Sequence, residues 1–106
     1  MINNEGAAVY VGVLECDVLL GAVGSLKHKR AIVRPALARL RRLEVSATEA
    51  GDPDRHRRAL IAVATVAGDA AQVQRVLDTC ERQVLGEVEF EVLSTRRRVF
   101  GAHDEN

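Results

Sequence analysis

The chain has 106 residues, which is the length of one domain and too short for two. Apolar residues make up 47% of the sequence and charged residues 28%, the balance of a globular domain and not of a disordered or fibrous chain. The 15 basic and 15 acidic residues cancel. This neutral net charge excludes a uniformly basic nucleic-acid-binding surface, but it allows charges to be segregated between two faces.

The sequence also predicts neither a membrane-spanning segment nor a secretory signal. No apolar run is long enough to span a membrane. The start of the chain lacks the charged, apolar and cleavage regions of a secretory signal peptide. The two cysteines, Cys16 and Cys80, are too few for a disulfide scaffold or a four-cysteine zinc site. We therefore predict a protein that does not contact a membrane.

The first predicted element is a strand over residues 8–20. Polar and apolar residues alternate within it, and the carboxylates of Glu15 and Asp17 need solvent, so the even-numbered side chains are expected to face the core. The glycines at positions 21 and 24 end the strand.

A helix is predicted over residues 25–43. Ser25 suits the N-cap because its hydroxyl can accept a hydrogen bond from a free backbone N–H of the first turn. Pro35 removes one backbone hydrogen bond within this segment. Because the apolar stripe keeps its phase across Pro35, we expect one kinked helix and not two separate helices.

The second half of the chain contains four more predicted segments and a turn-rich loop. They are an edge strand over 44–50, a charged loop over 51–58, a central strand over 59–67, a helix between Asp69 and Gly86, and a strand over 87–95. In the last strand, Val88, Phe90 and Val92 are expected to face the core.

The order of elements is therefore βαββαβ. With right-handed crossovers this order predicts a ferredoxin-like α+β sandwich, in which a four-stranded antiparallel sheet has both helices on one face. The single domain is predicted over residues 8–100. Residues 1–7 and 101–106, which are polar and aperiodic, are predicted to be flexible tails.

Two motifs carry a resemblance to a known family. The strand segment Val-Gly-Val-Leu-Glu-Cys-Asp over 11–17 is followed by Ser-Leu-Lys-His-Lys-Arg over 25–30. In this order they resemble the bacterial YlxP-like family, domain of unknown function 503, and the resemblance spans residues 8–94. His28 departs from the family, which usually has an acidic residue there that would complete a capping box with Ser25.

The resemblance implies a cytoplasmic, ferredoxin-like protein. The biochemical activity of the family is not established. Members are often encoded beside translation initiation and ribosome-binding factors, which implies a link to ribosome maturation or translation, with ribosomal RNA or a ribosomal subunit as partner.

The charge distribution predicts that any RNA contact is made on the helix side. The first helix has seven cations and no acid, whereas acids are expected on the sheet side, so phosphate would bind the helices without base specificity. Sequence-specific DNA binding is not expected. The alternative is an ordinary solvated helix face. The predicted RNA-binding residues are Lys27, Lys29, Arg30, Arg34, Arg41, Arg55, Arg57 and Arg58.

The uncovered face of the sheet is the second predicted interface. The central strands lack the aromatic residues on which RNA-recognition domains stack bases. Val9, Val11 and Val13 are expected on this face, beside either Ile61 and Val63 or Ala62 and Ala64. A contiguous apolar patch usually marks an interface, so this face predicts a homodimer, or the binding of a protein or small ligand.

No catalytic residue, metal site or cofactor is predicted, and the protein is not expected to be an enzyme. The carboxylates of Glu15, Asp17, Glu89 and Glu91 could approach one another and bind a cation, face solvent, or meet arginines of a second copy. No histidine or asparagine is placed to complete a site with them. Cys16 and Cys80 are expected to be buried as small apolar side chains.

Overall fold

The computed structural model describes residues 8–102 and confirms the predicted ferredoxin-like order of elements. The predicted tail at 1–7 lies outside the described residues, as do residues 103–106 of the predicted tail at 101–106, whereas Gly101 belongs to the last strand and the backbone N–H of Ala102 donates to the carbonyl oxygen of Val9 at 2.8 Å. The elements are β1 (Tyr10–Leu20), α1 (Leu26–Arg41), β2 (Ser46–Ala50), β3 (Arg58–Ala67), α2 (Ala70–Leu85) and β4 (Phe90–Gly101). Neither helix is long and apolar enough to cross a membrane.

The four strands form one antiparallel sheet in the order β2-β3-β1-β4. β1 and β3 are central, as their apolar sequences predict. The even-numbered residues of β1 face the helices, and Leu14, Cys16, Val18 and Leu20 are fully buried. The opposite face of the sheet has no covering element among residues 8–102, and we call it the open face.

Gly12 brings α2 close to the backbone of β1. A Cβ atom at this position would lie 2.3 Å from Cγ1 of Val73 and 2.9 Å from Cδ1 of Leu77. Both of these α2 residues are fully buried, so they have no free space into which to move. The contact sets the distance between the helix layer and the sheet.

α1 is one continuous helix that includes Pro35. Its N-cap is Ser25, whose hydroxyl oxygen accepts a hydrogen bond from the backbone N–H of His28 at 3.0 Å. Pro35 lies on the exposed side of the helix. The expectation of one helix is confirmed, because the buried residues Val33 and Ala36 on either side of Pro35 belong to one core-facing stripe.

β4 begins later and ends later than predicted. Residues 86–89 form a turn, in which the backbone N–H of Phe90 donates to the carbonyl oxygen of Glu87 at 3.1 Å. Phe90 and Val92 face the core as predicted, but the prediction for Val88 is wrong, because its side chain is 99% exposed. β4 begins later because residues 86–89 are needed to reverse the chain between α2 and the sheet. It ends later because the 11-residue β1 provides pairing partners for β4 as far as Gly101.

Candidate functional site

The outer face of α1 carries three exposed cations. Lys27, Arg30 and Arg34 are separated by three and four residues, which places their side chains on one side of the helix. Within residues 8–102, none of the three makes an ion pair or a side-chain hydrogen bond, and α1 contains no Asp or Glu. We call these three residues the cation row.

A shallow depression of about 390 Å³ lies along the cation row, and Ala31 and Pro35 also line it. These two residues are four apart and therefore adjacent on the helix surface. Because proline has no backbone N–H, the carbonyl oxygen of Ala31 cannot receive the hydrogen bond that residue 35 ordinarily donates in a helix. The depression is lined by these three cations and two small apolar residues.

Lys29 was predicted to contact RNA, and the structure shows that this prediction is wrong. Its side chain is buried, with a residue exposure of 1%. Nζ donates to the carbonyl oxygens of Pro53 at 2.9 Å and Arg55 at 2.6 Å, and lies 2.6 Å from Oε2 of Glu49 in an ion pair. Lys29 therefore ties the loop between β2 and β3 to the first turn of α1.

The sequence contains a signal for this burial. Lys29 precedes Val33, Ala36 and Leu40 by 4, 7 and 11 residues, which is the spacing of the core-facing stripe. The inclusion of Lys29 among the RNA-binding cations overlooked this spacing. A buried lysine is stable when it is paired and hydrogen-bonded, and Glu49 with the two loop carbonyls provides both conditions.

The loop between β2 and β3 adds little positive charge to the cation row. Arg55 and Arg57 are exposed, but Asp52 and Asp54 of the same loop offset their charge. Nε of Arg57 donates to the carbonyl oxygen of Gly21 at 3.1 Å. The side chain of Arg55 makes no ion pair or hydrogen bond within residues 8–102, so it is the one loop arginine that remains free for an anion.

The remaining two predicted RNA-binding residues are held by other groups. Nε and Nη2 of Arg41 donate to the carbonyl oxygen of Ala47 at 3.1 and 2.8 Å, although the side chain is exposed. Arg58 lies on the open face, where its guanidinium makes two hydrogen bonds to the carboxylate of Asp17, at 3.2 and 2.5 Å. The prediction that Arg58 shares one RNA-binding surface with α1 is therefore wrong.

The prediction that the open face is negatively charged is also wrong. Glu15 pairs with Arg96 of β4 at 2.9 Å, and Asp17 pairs with Arg58 of β3. The register places Arg96 directly opposite Glu15, and Arg98 on the same face opposite Val13. Because the basic run 96–98 lies inside β4, two of its three arginines supply positive charge to this face.

Two other acids face the helix side of the sheet. Glu49 of β2 pairs with Lys29, and Glu87 of the turn before β4 accepts hydrogen bonds from the guanidinium of Arg39, the shortest at 2.6 Å. The third arginine of the basic run, Arg97, also faces the helices and pairs with Asp78 and Glu81 of α2. Each of these cations is thus held by a carboxylate from another element of the fold.

The open face is apolar along its centre. Val9, Val11 and Val13 lie on it, as predicted, and Val9 is 43% exposed. Of the two sets left open for β3, Ala62 and Ala64 face this side, whereas Ile61 and Val63 are buried beneath the helices. The β3 residues on the open face are Arg58, Leu60, Ala62, Ala64 and Val66.

The two cysteines are fully buried in the core. The pKa of Cys16 is raised to about 11, mainly by desolvation on burial and in part by the nearby carboxylate of Glu81. Burial also raises the pKa of Cys80. Both thiols are therefore protonated near neutral pH, which makes them small apolar residues and not nucleophiles.

These features define a ferredoxin-like α+β domain with an unpaired cation row on its first helix and an apolar open sheet face. The family described as "Protein of unknown function (DUF503)" matches residues 11–97, so the chain belongs to this family. The family resemblance drawn from the two sequence motifs is thereby confirmed.

One relative agrees with this assignment, and one solved structure shares the fold. The chain is 32% identical over 68 residues to "Uncharacterized protein YlxP" of Bacillus subtilis (strain 168), which covers 63% of this chain and 74% of that protein. The fold is similar to that of the de novo designed protein Foldit4, with a TM-score of 0.51 and 12% identity over 92% of this chain and 99% of that one. The second similarity concerns the fold alone.

Proposed function

We propose that this protein is a non-enzymatic accessory factor of ribosome maturation or translation that contacts RNA phosphate through the cation row on α1. The observation that carries the proposal is the unpaired state of Lys27, Arg30 and Arg34 on a helix without acids. Phosphate binding releases the counterions of the nucleic acid and requires cations that are free to approach it.

The contrast with the other arginines strengthens this choice of surface. Arg39, Arg58 and Arg97 would each have to leave a carboxylate partner before binding a phosphate. The cation row has no such cost, so a phosphate there gains two or three new charge-assisted hydrogen bonds. The implied link of the YlxP-like family to translation makes the cytoplasmic ribosome, or its RNA, the first partner to test.

The test is co-sedimentation of the purified protein with ribosomal subunits over a series of salt concentrations. The test variant is Arg30→Glu/Arg34→Glu. The matched control is Arg75→Glu/Arg82→Glu, which reverses the same number of exposed arginines on α2, where they have only neutral side-chain partners. We expect salt-sensitive binding by the wild type and the control, and loss of binding by the α1 variant.

Two results would contradict the proposal. One is the absence of binding at low salt by a sample whose circular dichroism shows that it is folded. The other is an equal loss of binding in both double variants, because this would report net charge and not the position of the cation row.

A second candidate function is a dimerisation module that uses the open face. The apolar residues of the central strands on this face favour it, and Val66 at its edge is 67% exposed. The neutral pairing of Glu15 and Asp17 with arginines removes the repulsion that two acidic faces would have. In this reading the face binds a second copy of the chain, or a protein or small ligand.

Light scattering coupled to gel filtration tests this second function. Val13→Asp places a carboxylate at the centre of the open face, and Val88→Asp is the matched control, because Val88 is 99% exposed and lies in the turn before β4. A dimer that dissociates only in Val13→Asp supports the module. A wild-type monomer at all concentrations contradicts self-association.

A further inference from the structure

The open face carries an exposed apolar patch at the end of the sheet where β1 begins. The register places Val11 opposite Val66 and Val13 opposite Ala64, so these four side chains adjoin one another. Val9 extends the patch, and the side chains of Val9 and Val66 are 43% and 67% exposed. A contiguous exposed apolar patch usually marks an interface, so this patch is expected to have an occupant.

Residues 1–7 and 103–106 are poorly suited to cover the patch. Residues 1–7 contain two large apolar side chains, Met1 and Ile2, and residues 103–106 contain none. Both helices pack on the opposite face of the sheet, where the buried core lies. The occupant is therefore expected to bring an apolar surface that these residues lack.

The charges of the open face indicate which surface that is. The register places three cations and three carboxylates on this face, namely Arg58, Arg96, Arg98, Glu15, Asp17 and Glu91. A nucleic acid or an anionic membrane binds where positive charge is in excess, and this face has no such excess. A second copy of the chain presents the same balanced charges and the same apolar patch. Two open faces therefore meet without an excess of like charge.

The size of the open face also fits a dimer interface. The 11 residues of β1 extend about 36 Å at about 3.3 Å per residue, and the four strands together span about 19 Å. Because β2 is short, these dimensions give an area on the order of 600 Å², before the relief of the side chains is counted. An interface of standard size buries about 800 Å² of each partner, so one open face is large enough for two-fold association.

From these observations we infer that the open face binds the open face of a second copy, in a two-fold dimer whose layers are helices, sheet, sheet and helices. This inference rests on the second candidate function, because it names the occupant of the same face. α1 packs on the other side of the sheet, so the cation row of each copy lies on the outside of the dimer. Dimerisation and phosphate contact are then properties of one assembly, which presents two cation rows.

The experiment measures the molecular mass over a series of protein concentrations by light scattering coupled to gel filtration. The test variant is Val9→Asp/Val66→Asp. Both side chains are exposed in a single copy, so the monomer is expected to fold normally, which circular dichroism checks. The matched control is Leu85→Asp/Val88→Asp, which adds the same charge at two exposed apolar residues outside the open face. The dissociation constant of the dimer is expected to rise on the order of 100-fold or more in the test variant alone, because association would bury carboxylates without partners.

Three results would overturn the inference. A wild type that is monomeric at every concentration overturns the second copy as the occupant, although the open face could still bind a different protein. A dimer that persists in the test variant overturns the open face as its interface, and with it the second candidate function. Equal dissociation in both variants would report the added negative charge and not the position of the apolar patch.

Co-sedimentation with ribosomal subunits separates this inference from the proposed RNA contact. Arg30→Glu/Arg34→Glu is expected to remain a dimer and to lose the subunits. Val9→Asp/Val66→Asp is expected to become a monomer that still co-sediments through its own cation row. A wild-type dimer that binds no subunit supports the inference and contradicts the RNA contact. Dissociation of the dimer in Arg30→Glu/Arg34→Glu overturns the order of layers, because the cation row would then lie in the interface.

Discussion

The outer face of α1 and the open face of the sheet both present exposed arginines, but their electrostatic states differ. On the open face, Arg58 and Arg96 are held by Asp17 and Glu15 on the adjacent strand. On α1, the cation row pairs with no acid among residues 8–102, whereas Lys29 and Arg39 of the same helix are held by Glu49 and Glu87 of other elements. The comparison shows that a surface cation is available to an anion when no neighbouring group holds it. The number of cations on the surface does not decide this.

The largest expected effect distinguishes the two faces of α1 itself. Lys29→Met is expected to destabilise the protein by about 3–5 kcal/mol, because it leaves the carboxylate of Glu49 buried without its partner. Lys27→Met, on the outer face, is expected to change the free energy of unfolding by less than about 0.5 kcal/mol. Urea unfolding of the two variants measures the difference, and equal stabilities would contradict the burial of Lys29.

A smaller effect is expected when a glycine on the covered face of β1 is compared with a glycine just after the end of that strand. Gly12→Ala is expected to cost about 1–3 kcal/mol, because the new Cβ would overlap Val73 and Leu77. Gly21→Ala is the matched control, since no atom lies within 4 Å of a Cβ built there. Thermal unfolding of both variants gives the comparison, and a tolerated Gly12→Ala would show that α2 can move away from the sheet.

A buried thiol on the covered face of β1 also makes a pH-dependent contribution to the free energy of unfolding. The pKa of Cys16 is raised by burial from 9.0 to about 11 in the folded state. Folding favours the protonated thiol. The stabilisation that results is therefore complete below pH 9 and is lost as the pH rises through about 11.

The measurement is the free energy of unfolding as a function of pH between these values. Cys16→Ala is expected to flatten the decrease, although it lowers the stability at every pH. A slope that persists unchanged in the variant would assign the decrease to another group. Thiol reagents at neutral pH are expected to label Cys16 only after unfolding.

The smallest effect concerns the paired charges of the open face. A double-mutant cycle of Asp17→Ala and Arg58→Ala is expected to give a coupling of about 0.2–1 kcal/mol, because both side chains are about one third exposed. The coupling is expected to decrease in high salt. A coupling near zero at low salt would show that Arg58 is as free as the cation row, and the comparison between the two faces would lose its basis.

Much of the fold could be predicted because the signals are local. The alternation in β1, the N-cap at Ser25 and the turn residues around Gly51 are readable within a few residues. The start of β4 was misplaced because the alternation of 87–95 continues through the turn at 86–89, and a two-residue period does not mark where pairing begins. Which pair of β3 residues faces the open side was settled by the register with β1.

The candidate site was predicted only in part. The exposure of Lys27, Arg30 and Arg34 was predicted correctly from the helix, because the period of 3.6 residues separates them from the apolar stripe. The same period places Lys29 on the inner face, and counting charges concealed this. For Arg58 no local pattern was sufficient, because its partner Asp17 is 41 residues away.

What the sequence determined by itself is the set of elements, their order and therefore the ferredoxin-like fold, since hydrophobic period and capping act between residues close in the chain. It also determined that α1 is rich in cations and free of acids. Only the tertiary structure decided which cations are paired, because strand register and helix packing bring together residues distant in the sequence. Ion pairing depends on distances of a few ångströms across those contacts, and these exist only once the sheet and helices have assembled.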